Sequence, residues 1–435
     1  MGIFIFLIAV IVEISFAVLC TITKSNQEKI RSIIRIVAFA GFALLTILTI
    51  IDWSFRYYAI AALLLILGVN GMVTLIHKKK EKRVYNTKHV ILKAIGIILS
   101  IFIVTMPAII FPQYEKIQPT GKYQVETKTY TYTDTERVET YTNTGENRKL
   151  NVELWYPKNA QGKYPLAVFS HGSFGIKKSN ESLFNELASH GYVVCSIDHT
   201  YQCLYTIDSG GNTILMDKSY VQEIFDQDAH SHKQQSYEYF KKWMNIRTGD
   251  INFVLNHILT EEKNKDADSV YKLVDTSKIG VIGHSLGGSA ALGVGRMRED
   301  VSGVIALESP FMCDIEGVKD DQFVFTDKAY PVPVLNVYSD NSWSYLNQWP
   351  QYAENYALLA NANTNATAFN VHIRGVGHLT LTDLALTSPF LTNILNQQKS
   401  TTDTEYCLKT INKLCLEFFD CYLKGKSKFV CEGTY

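Results

Sequence analysis

Lys278-Ile279-Gly280-Val281-Ile282-Gly283-His284-Ser285-Leu286-Gly287-Gly288-Ser289-Ala290-Ala291 is the stretch that decides the fold of this chain. Lys278–Ile282 reads as a short buried strand and Ser289–Gly295 as a helix of small residues. Between them stands a Gly-x-Ser-x-Gly pattern. The pattern alone recurs by chance; a strand running straight into it and a small-residue helix leaving it make it specific. So tight a turn leaves the flanking positions little room for side chains, and it lifts the Ser285 oxygen out of the sheet at a helix N-terminus. Ser285 is therefore the candidate nucleophile.

A serine is a weak nucleophile until a base takes its proton. Of the eleven histidines, only His372 and His378 follow Ser285. His372 falls inside the strand pattern Phe369–Ile373, whereas His378 follows the loop Arg374-Gly375-Val376-Gly377 that leaves that strand. His378 is the expected base. The third partner is a carboxylate at a strand end, where it fixes the imidazole tautomer. Glu308 ends Ala306-Leu307-Glu308 and Asp340 ends Val337-Tyr338-Ser339-Asp340, and position alone does not separate them. The oxyanion needs two backbone N–H donors. Leu286, directly after the nucleophile, supplies one; the Ser173 amide, in Ser170-His171-Gly172-Ser173-Phe174-Gly175 after an early strand, is expected to supply the other.

Around this centre, strands alternate with helices. Leu150–Tyr156, Leu166–Ser170, Tyr192–Ile197, Val304–Leu307, Val334–Tyr338 and Phe369–Ile373 read as strands; Glu181–His190, Arg247–Leu259 and Glu405–Leu423 read as helices. That order predicts an α/β fold with a mostly parallel sheet flanked by helices over residues 148–435. Residues 113–147, rich in Thr, Tyr and Glu, read as a linker with edge strands. An insertion at about 203–243 contains the turn Asp208-Ser209-Gly210-Gly211-Asn212; its aromatic residues suit either a lid over an acyl pocket or packing on the sheet. Asp226-x-Asp228-x-His230-x-His232 reads as a solvated polar run rather than a metal site, because alternating ligands would align only on an extended strand.

Several further motifs extend the pattern: Val168-Phe169-Ser170-His171-Gly172, Leu187-Ala188-Ser189-His190-Gly191-Tyr192-Val193-Val194, Asp198-His199, Leu154-Trp155-Tyr156-Pro157, Arg247 with Asp250–Leu255, and Ile373-Arg374-Gly375-x-x-His378. Together with Gly283–Gly288 they resemble the plasma-type platelet-activating factor acetylhydrolase family, a branch of the α/β-hydrolases close to bacterial lipases and dienelactone-hydrolase-like proteins. The resemblance covers roughly residues 148–423. It implies an α/β-hydrolase fold and ester hydrolysis without a metal or organic cofactor. It also favours Glu308 over Asp340 as the acid, since the family's acid ends the strand after the elbow helix. The family usually has Asp there, so Glu308 is a departure, as is a longer segment before His378 containing Trp343, Tyr345 and Trp349.

The resemblance leaves the N-terminal part uncovered. The chain has 435 residues, 47% of them hydrophobic and 19% charged, with 42 basic and 42 acidic side chains. Residues 1–112 hold twelve Lys/Arg and four Asp/Glu, a net of +8, which leaves thirty basic and thirty-eight acidic residues, a net of −8, to the remainder. The remainder is acidic, so nucleic acid is not an expected partner. Ile3–Ile22, Ile36–Phe55, Tyr57–Ile76 and Val90–Phe111 are apolar stretches of about twenty residues, long enough to cross a bilayer as helices. Glu13 is read as facing a neighbouring helix, and Lys93 as reaching the interface. The loops after the first and third stretches carry Lys24, Lys29, Arg31, Arg35 and then Lys78, Lys79, Lys80, Lys82, Arg83, Lys88. Basic loops are cytoplasmic by the positive-inside rule, so four spans place both termini, and the catalytic domain, outside. The expected protein is an integral membrane hydrolase, placed in the plasma membrane, acting on a small-molecule or lipid ester. The alternatives are a peptidase, thioesterase or acyltransferase on the same triad, or a non-catalytic receptor on a hydrolase scaffold.

Overall fold

A computed structural model describes residues 1–77, 85–360, 367–426 and 428–435. The chain divides into two compact units: Met1–Glu115 with Leu386–Leu391, and Lys116–Ala385 with Thr392–Tyr435.

The first unit contains α1 (Gly2–Thr23), α2 (Glu28–Ile47), α3 (Phe55–Ile76) and α4 (Thr87–Ile110), each long and apolar enough to cross a membrane. The second helix begins eight residues before the apolar stretch expected at Ile36–Phe55. Arg31 and Arg35 therefore lie within the helix, not in a loop. Arg31 can do so because its guanidinium sits 4.4 Å from the Phe16 ring centroid and 3.9 Å from the Glu13 carboxylate. Glu13 thus faces a neighbouring helix. α4 continues three residues past Pro107, since a proline near a helix end removes few bonds. Lys78, Lys79, Lys80, Lys82 and Arg83 lie outside the described residues.

The second unit is built on an eight-stranded sheet. Its strands are β1 (Val125–Val138), β2 (Asn147–Pro157), β3 (Tyr164–Ser170), β4 (Val193–Asp198), β5 (Val274–His284), β6 (Val301–Leu307), β7 (Val334–Tyr338) and β8 (Ala368–His372). They lie side by side in the order β1-β2-β4-β3-β5-β6-β7-β8. β2 runs antiparallel to β1 and β4; all pairs from β4 to β8 are parallel. The parallel strands are covered on both faces, which is why they read as unbroken apolar runs. α7 (Lys233–Lys263) and α8 (Leu286–Met297) pack together, as do α5 (Glu181–Ser189) and α9 (Thr404–Tyr422). This is the α/β-hydrolase architecture.

Within the expected linker with edge strands, Val125–Val138 forms the 14-residue edge strand β1. Two features differ from the sequence reading. α7 starts at Lys233, well before Arg247, and buries Phe240, Trp243 and Met244. The last eleven residues of the 203–243 insertion are therefore core helix. Its earlier part is a hairpin, Tyr205–Ile207 with Thr213–Leu215, and α6 (Lys218–Asp226). Asp208 closes the hairpin by accepting the Gly210 and Asn212 N–H groups at 2.9 Å each. A second hairpin, Ile315–Lys319 with Gln322–Phe325, carries no turn signal that stood out in sequence. All eight cysteines are free thiols, and Cys195 is buried on β4.

Candidate active site

β5 delivers Ser285 to a backbone conformation that non-glycine residues avoid, φ 53° and ψ −127°. Its N–H still donates to the Leu307 carbonyl at 2.8 Å, so the parallel ladder with β6 runs up to the turn itself. Small residues are required around it. A Cβ on Gly287 would stand 2.1 Å from the Ser170 carbonyl oxygen. One on Gly172 would stand 3.1 Å from the Ser285 Cβ. The Ser170–Gly175 loop is thereby held directly against the nucleophile turn.

Glu308 and His378 are brought together, and Asp340 goes elsewhere. The Glu308 Oε1 lies 3.6 Å from His378 Nδ1. Its Oε2 accepts the Ser339 N–H at 3.0 Å. Burial alone would raise the Glu308 carboxyl; the facing His378 and the Ser339 hydrogen bond outweigh it and hold the group below the usual carboxylate range. Glu308 also sits at φ 52°, a second strained residue at a strand end. Asp340 instead accepts from His372 Nε2 at 2.8 Å and from the Gly375 N–H at 2.9 Å. Trp343 stacks on His372 with ring centroids 4.7 Å apart. Asp340, His372 and Trp343 thus form a structural cluster beside the site. The His378 loop is pinned by Asn341 Oδ1, which accepts the His378 N–H at 2.9 Å, and by His284 Nε2, 3.1 Å from the His378 carbonyl. Among the described residues, the N–H groups of Leu286 and Ser173 have no acceptor within the protein.

The comparisons with known proteins fall on the same residues. The family model described as "Platelet-activating factor acetylhydrolase, isoform II" matches residues 112–432. The chain belongs to this family. A platelet-activating factor acetylhydrolase of Canis lupus familiaris is 24% identical over 314 residues, covering 64% of this chain and 64% of its own. That of Gallus gallus is 22% identical over 295 residues, covering 61% and 64%. The chain thus spans somewhat less than two thirds of the length of these relatives. Cutinase 1 of Thermobifida cellulosilytica is 25% identical over 154 residues, covering 35% of this chain and 42% of its own. A solved ferulic acid esterase from Streptomyces cinnamoneus shares the fold, with a TM-score of 0.53 and 23% identity over 72% of this chain and 94% of the esterase.

Sequence reading quoted Arg247, Asp250 and His199 as motifs but gave them no role behind the Ser170–Gly175 loop. Arg247, fully buried on α7, donates through Nη1 to the His171 carbonyl and through Nε to Gln202 at 2.9 Å. Arg148 and Arg137 both pair with the buried Asp250. The available signal was Arg247 with Asp250 three residues on, one helical turn apart on a face that is otherwise apolar. His171, Asp198 and Cys203 place donor atoms within 4.8 Å of one another, as a metal site would. Two of the three are committed to protein partners. His171 Nδ1 bonds the Gly172 carbonyl at 2.7 Å and Nε2 accepts the His199 N–H at 3.3 Å. Asp198 takes the Lys177 ammonium and the Thr206 hydroxyl at 2.6 Å each. Burial pushes the Cys203 thiol up, away from the thiolate a metal would need. Asp226, Asp228, His230 and His232 lie in or after the end of α6, where Asp228 caps a turn by accepting the His230 and Ser231 N–H groups.

Three buried histidines carry a pH consequence. Burial, with Arg247 adding to it, lowers His171 well below the usual imidazole range and His199 to about 4; burial, with His378 adding to it, lowers His284 to about 3. In the unfolded chain each takes up a proton near pH 6.5; the folded chain refuses it until about pH 4 at His199 and about pH 3 at His284, and well below the usual range at His171. The unfolded state therefore binds more protons in that window, and stability falls as the pH falls from about 6.5 toward 4. Each histidine contributes a slope of about 1.4 kcal/mol per pH unit. Thermal unfolding in matched buffers should show a melting temperature that drops steeply between pH 6.5 and 5 and less steeply in His284→Gln. A flat profile would contradict the neutral assignment.

Proposed function

We propose that this chain is a membrane-anchored serine hydrolase that cleaves carboxylic esters with short or oxidised acyl chains, phospholipid esters among them. The observation that carries this reading is the strained Ser285 at the strand-to-helix turn after β5, with Glu308 at the end of β6 facing His378 in the loop after β8. Ser285 Oγ attacks the ester carbonyl as its proton passes to His378. Glu308 holds the far imidazole nitrogen and offsets the charge that forms. The Leu286 and Ser173 N–H groups receive the oxyanion. Collapse of the tetrahedral intermediate expels the alcohol, protonated by His378, and leaves an acyl group on Ser285. Water, deprotonated by His378, then repeats the attack and releases the acid and free serine.

The relatives' name, acetylhydrolase, supports a short acyl chain, and the four helices of the first unit support a substrate met at a bilayer. Lys24 before α2, with Arg31 and Arg35 in its first turns, supports a cytoplasmic placement of that end and an outward-facing catalytic unit in the plasma membrane. A membrane-impermeant fluorophosphonate tests activity and orientation together. It should label intact cells at Ser285. Labelling only after lysis would refute the orientation, and no labelling of the folded protein would refute the enzyme. With p-nitrophenyl esters, acetate and butyrate should turn over at least tenfold faster than palmitate; the reverse order would favour a lipase.

A further inference from the structure

A second serine–histidine–aspartate chain runs through the interior, directly behind the proposed oxyanion loop. Ser170 Oγ lies 2.8 Å from His199 Nε2, and His199 Nδ1 lies 2.9 Å from Asp250 Oδ2. All three side chains are wholly buried or nearly so, which bars any substrate. Asp250 is locked by Arg148, whose Nε and Nη2 each lie 2.6 Å from its oxygens. The chain assigns its own protons. The Asp250 carboxylate only accepts, so His199 Nδ1 carries the hydrogen and Nε2 accepts from the Ser170 hydroxyl.

The same logic fixes His171, whose ring centroid is 5.2 Å from that of His199. The His199 backbone N–H donates to His171 Nε2 at 3.3 Å, so the proton is on Nδ1, which donates to the Gly172 carbonyl at 2.7 Å. The Gly175 N–H holds the same carbonyl at 3.1 Å. In a trans peptide the C=O and the following N–H point in opposite directions. With its carbonyl clamped twice, the Gly172–Ser173 peptide must turn the Ser173 N–H away from His171. Tyr220 steadies the next side chain by donating to Ser173 Oγ at 3.2 Å.

We propose that His171 is a positioning residue for hydrolysis at Ser285, aiming the Ser173 N–H at the developing oxyanion, with Ser170, His199 and Asp250 as the buried chain that holds His171 in register. The proposal rests on the Ser285 reading above and adds residues that touch neither substrate nor the reacting atoms. Both rings are held neutral by burial, so their acceptor nitrogens stay available across the working pH range.

The test uses the full-length protein and four variants. Asn places an amide N–H near the position of a histidine Nδ1–H, and Gln places it near Nε2. His171→Asn should therefore keep the clamp, and His171→Gln and His171→Ala should lose it. A mis-aimed oxyanion donor lowers kcat by about 10²-fold with KM unchanged. The expected result is that loss in His171→Ala and His171→Gln, recovery to within about tenfold in His171→Asn, and about a tenfold loss in Ser170→Ala. A trifluoromethyl ketone, which forms an oxyanion on Ser285, should weaken in step with kcat/KM across the series. Near-UV circular dichroism identifies any variant that is misfolded, and His171→Asn guards against that outcome. An unchanged kcat in His171→Ala, a loss confined to KM, His171→Gln equal to His171→Asn, or inhibitor affinity independent of kcat/KM would each overturn the proposal. Failure of the Ser285 reading would show separately, as turnover by Ser285→Ala, and would overturn both.

Discussion

Ser285→Ala should lower ester turnover by about 10⁵–10⁶-fold and leave the melting temperature unchanged. The first half follows from how much of the reaction passes through one oxygen. Without Oγ there is no acyl-enzyme, and the oxyanion donors and His378 can act only on a water that no residue holds in line. A loss of 10⁶-fold corresponds to about 8 kcal/mol of barrier. What remains would be the residual acceleration that substrate binding and the oxyanion donors provide by themselves. The second half follows from the backbone. Ser285 is held at φ 53° by the ladder bond to Leu307 and by the packing of Gly287 under Ser170, and alanine keeps the same Cβ. The strain at this turn is neither relieved nor increased. Progress curves with p-nitrophenyl acetate, alongside thermal melts, check both halves. Turnover above about 1% of the wild type in a folded Ser285→Ala would place the nucleophile elsewhere. A large fall in melting temperature would mean that the serine hydroxyl has a structural role.

The centre of the fold was legible because its chemistry restricts the chain locally. A serine at positive φ between a buried strand and a helix needs small neighbours within four residues, so the whole constraint is written in Gly283–Ser289. The proposed base, His378, was legible by chain order and elimination. The proposed acid was not legible from position, and only the resemblance favoured Glu308, because a carboxylate's direction at a strand end depends on the turn that follows. Glu308 and Asp340 end adjacent strands, and their different partners come from Asn341, His372 and Trp343, which lie far from Glu308 in sequence. The buried chain behind the oxyanion loop joins residues 170, 171, 199 and 250 from three separate segments, and no local pattern encodes such a meeting. The second apolar helix was misplaced for a related reason. Arg31 reads as a loop residue by hydropathy, but the ring of Phe16 and the carboxylate of Glu13, on another helix, cover it. Long-range partners thus decided the carboxylate that faces His378, the buried chain behind the oxyanion loop and the start of the second helix.

The largest remaining contrast is between the two carboxylates. Glu308→Gln should lower kcat by about 10³–10⁴-fold with KM little changed, whereas Asp340→Asn should stay within about tenfold of the wild type. Glu308 faces His378 Nδ1 from a site only 2% exposed, and no other carboxylate is placed there among the described residues. An amide in its place permits the wrong imidazole tautomer and cannot offset the charge that His378 acquires in the transition state. Glu308→Asp should fall between, since the charge is kept but drawn back by one methylene from a gap already 3.6 Å wide. Asp340 should show its effect in stability instead. Its side chain is 39% exposed and holds His372 and the Gly375 N–H, so Asp340→Asn should cost about 1–2 kcal/mol in a denaturant melt. The two substitutions therefore move different observables, and measuring both on both variants separates a group that acts on His378 from one that supports its loop. If Asp340→Asn removed activity and Glu308→Gln spared it, the triad would be Ser285, His378 and Asp340. Asp340 would then have to accept from His378 as well, on an oxygen shared with His372 Nε2 or with the Gly375 N–H.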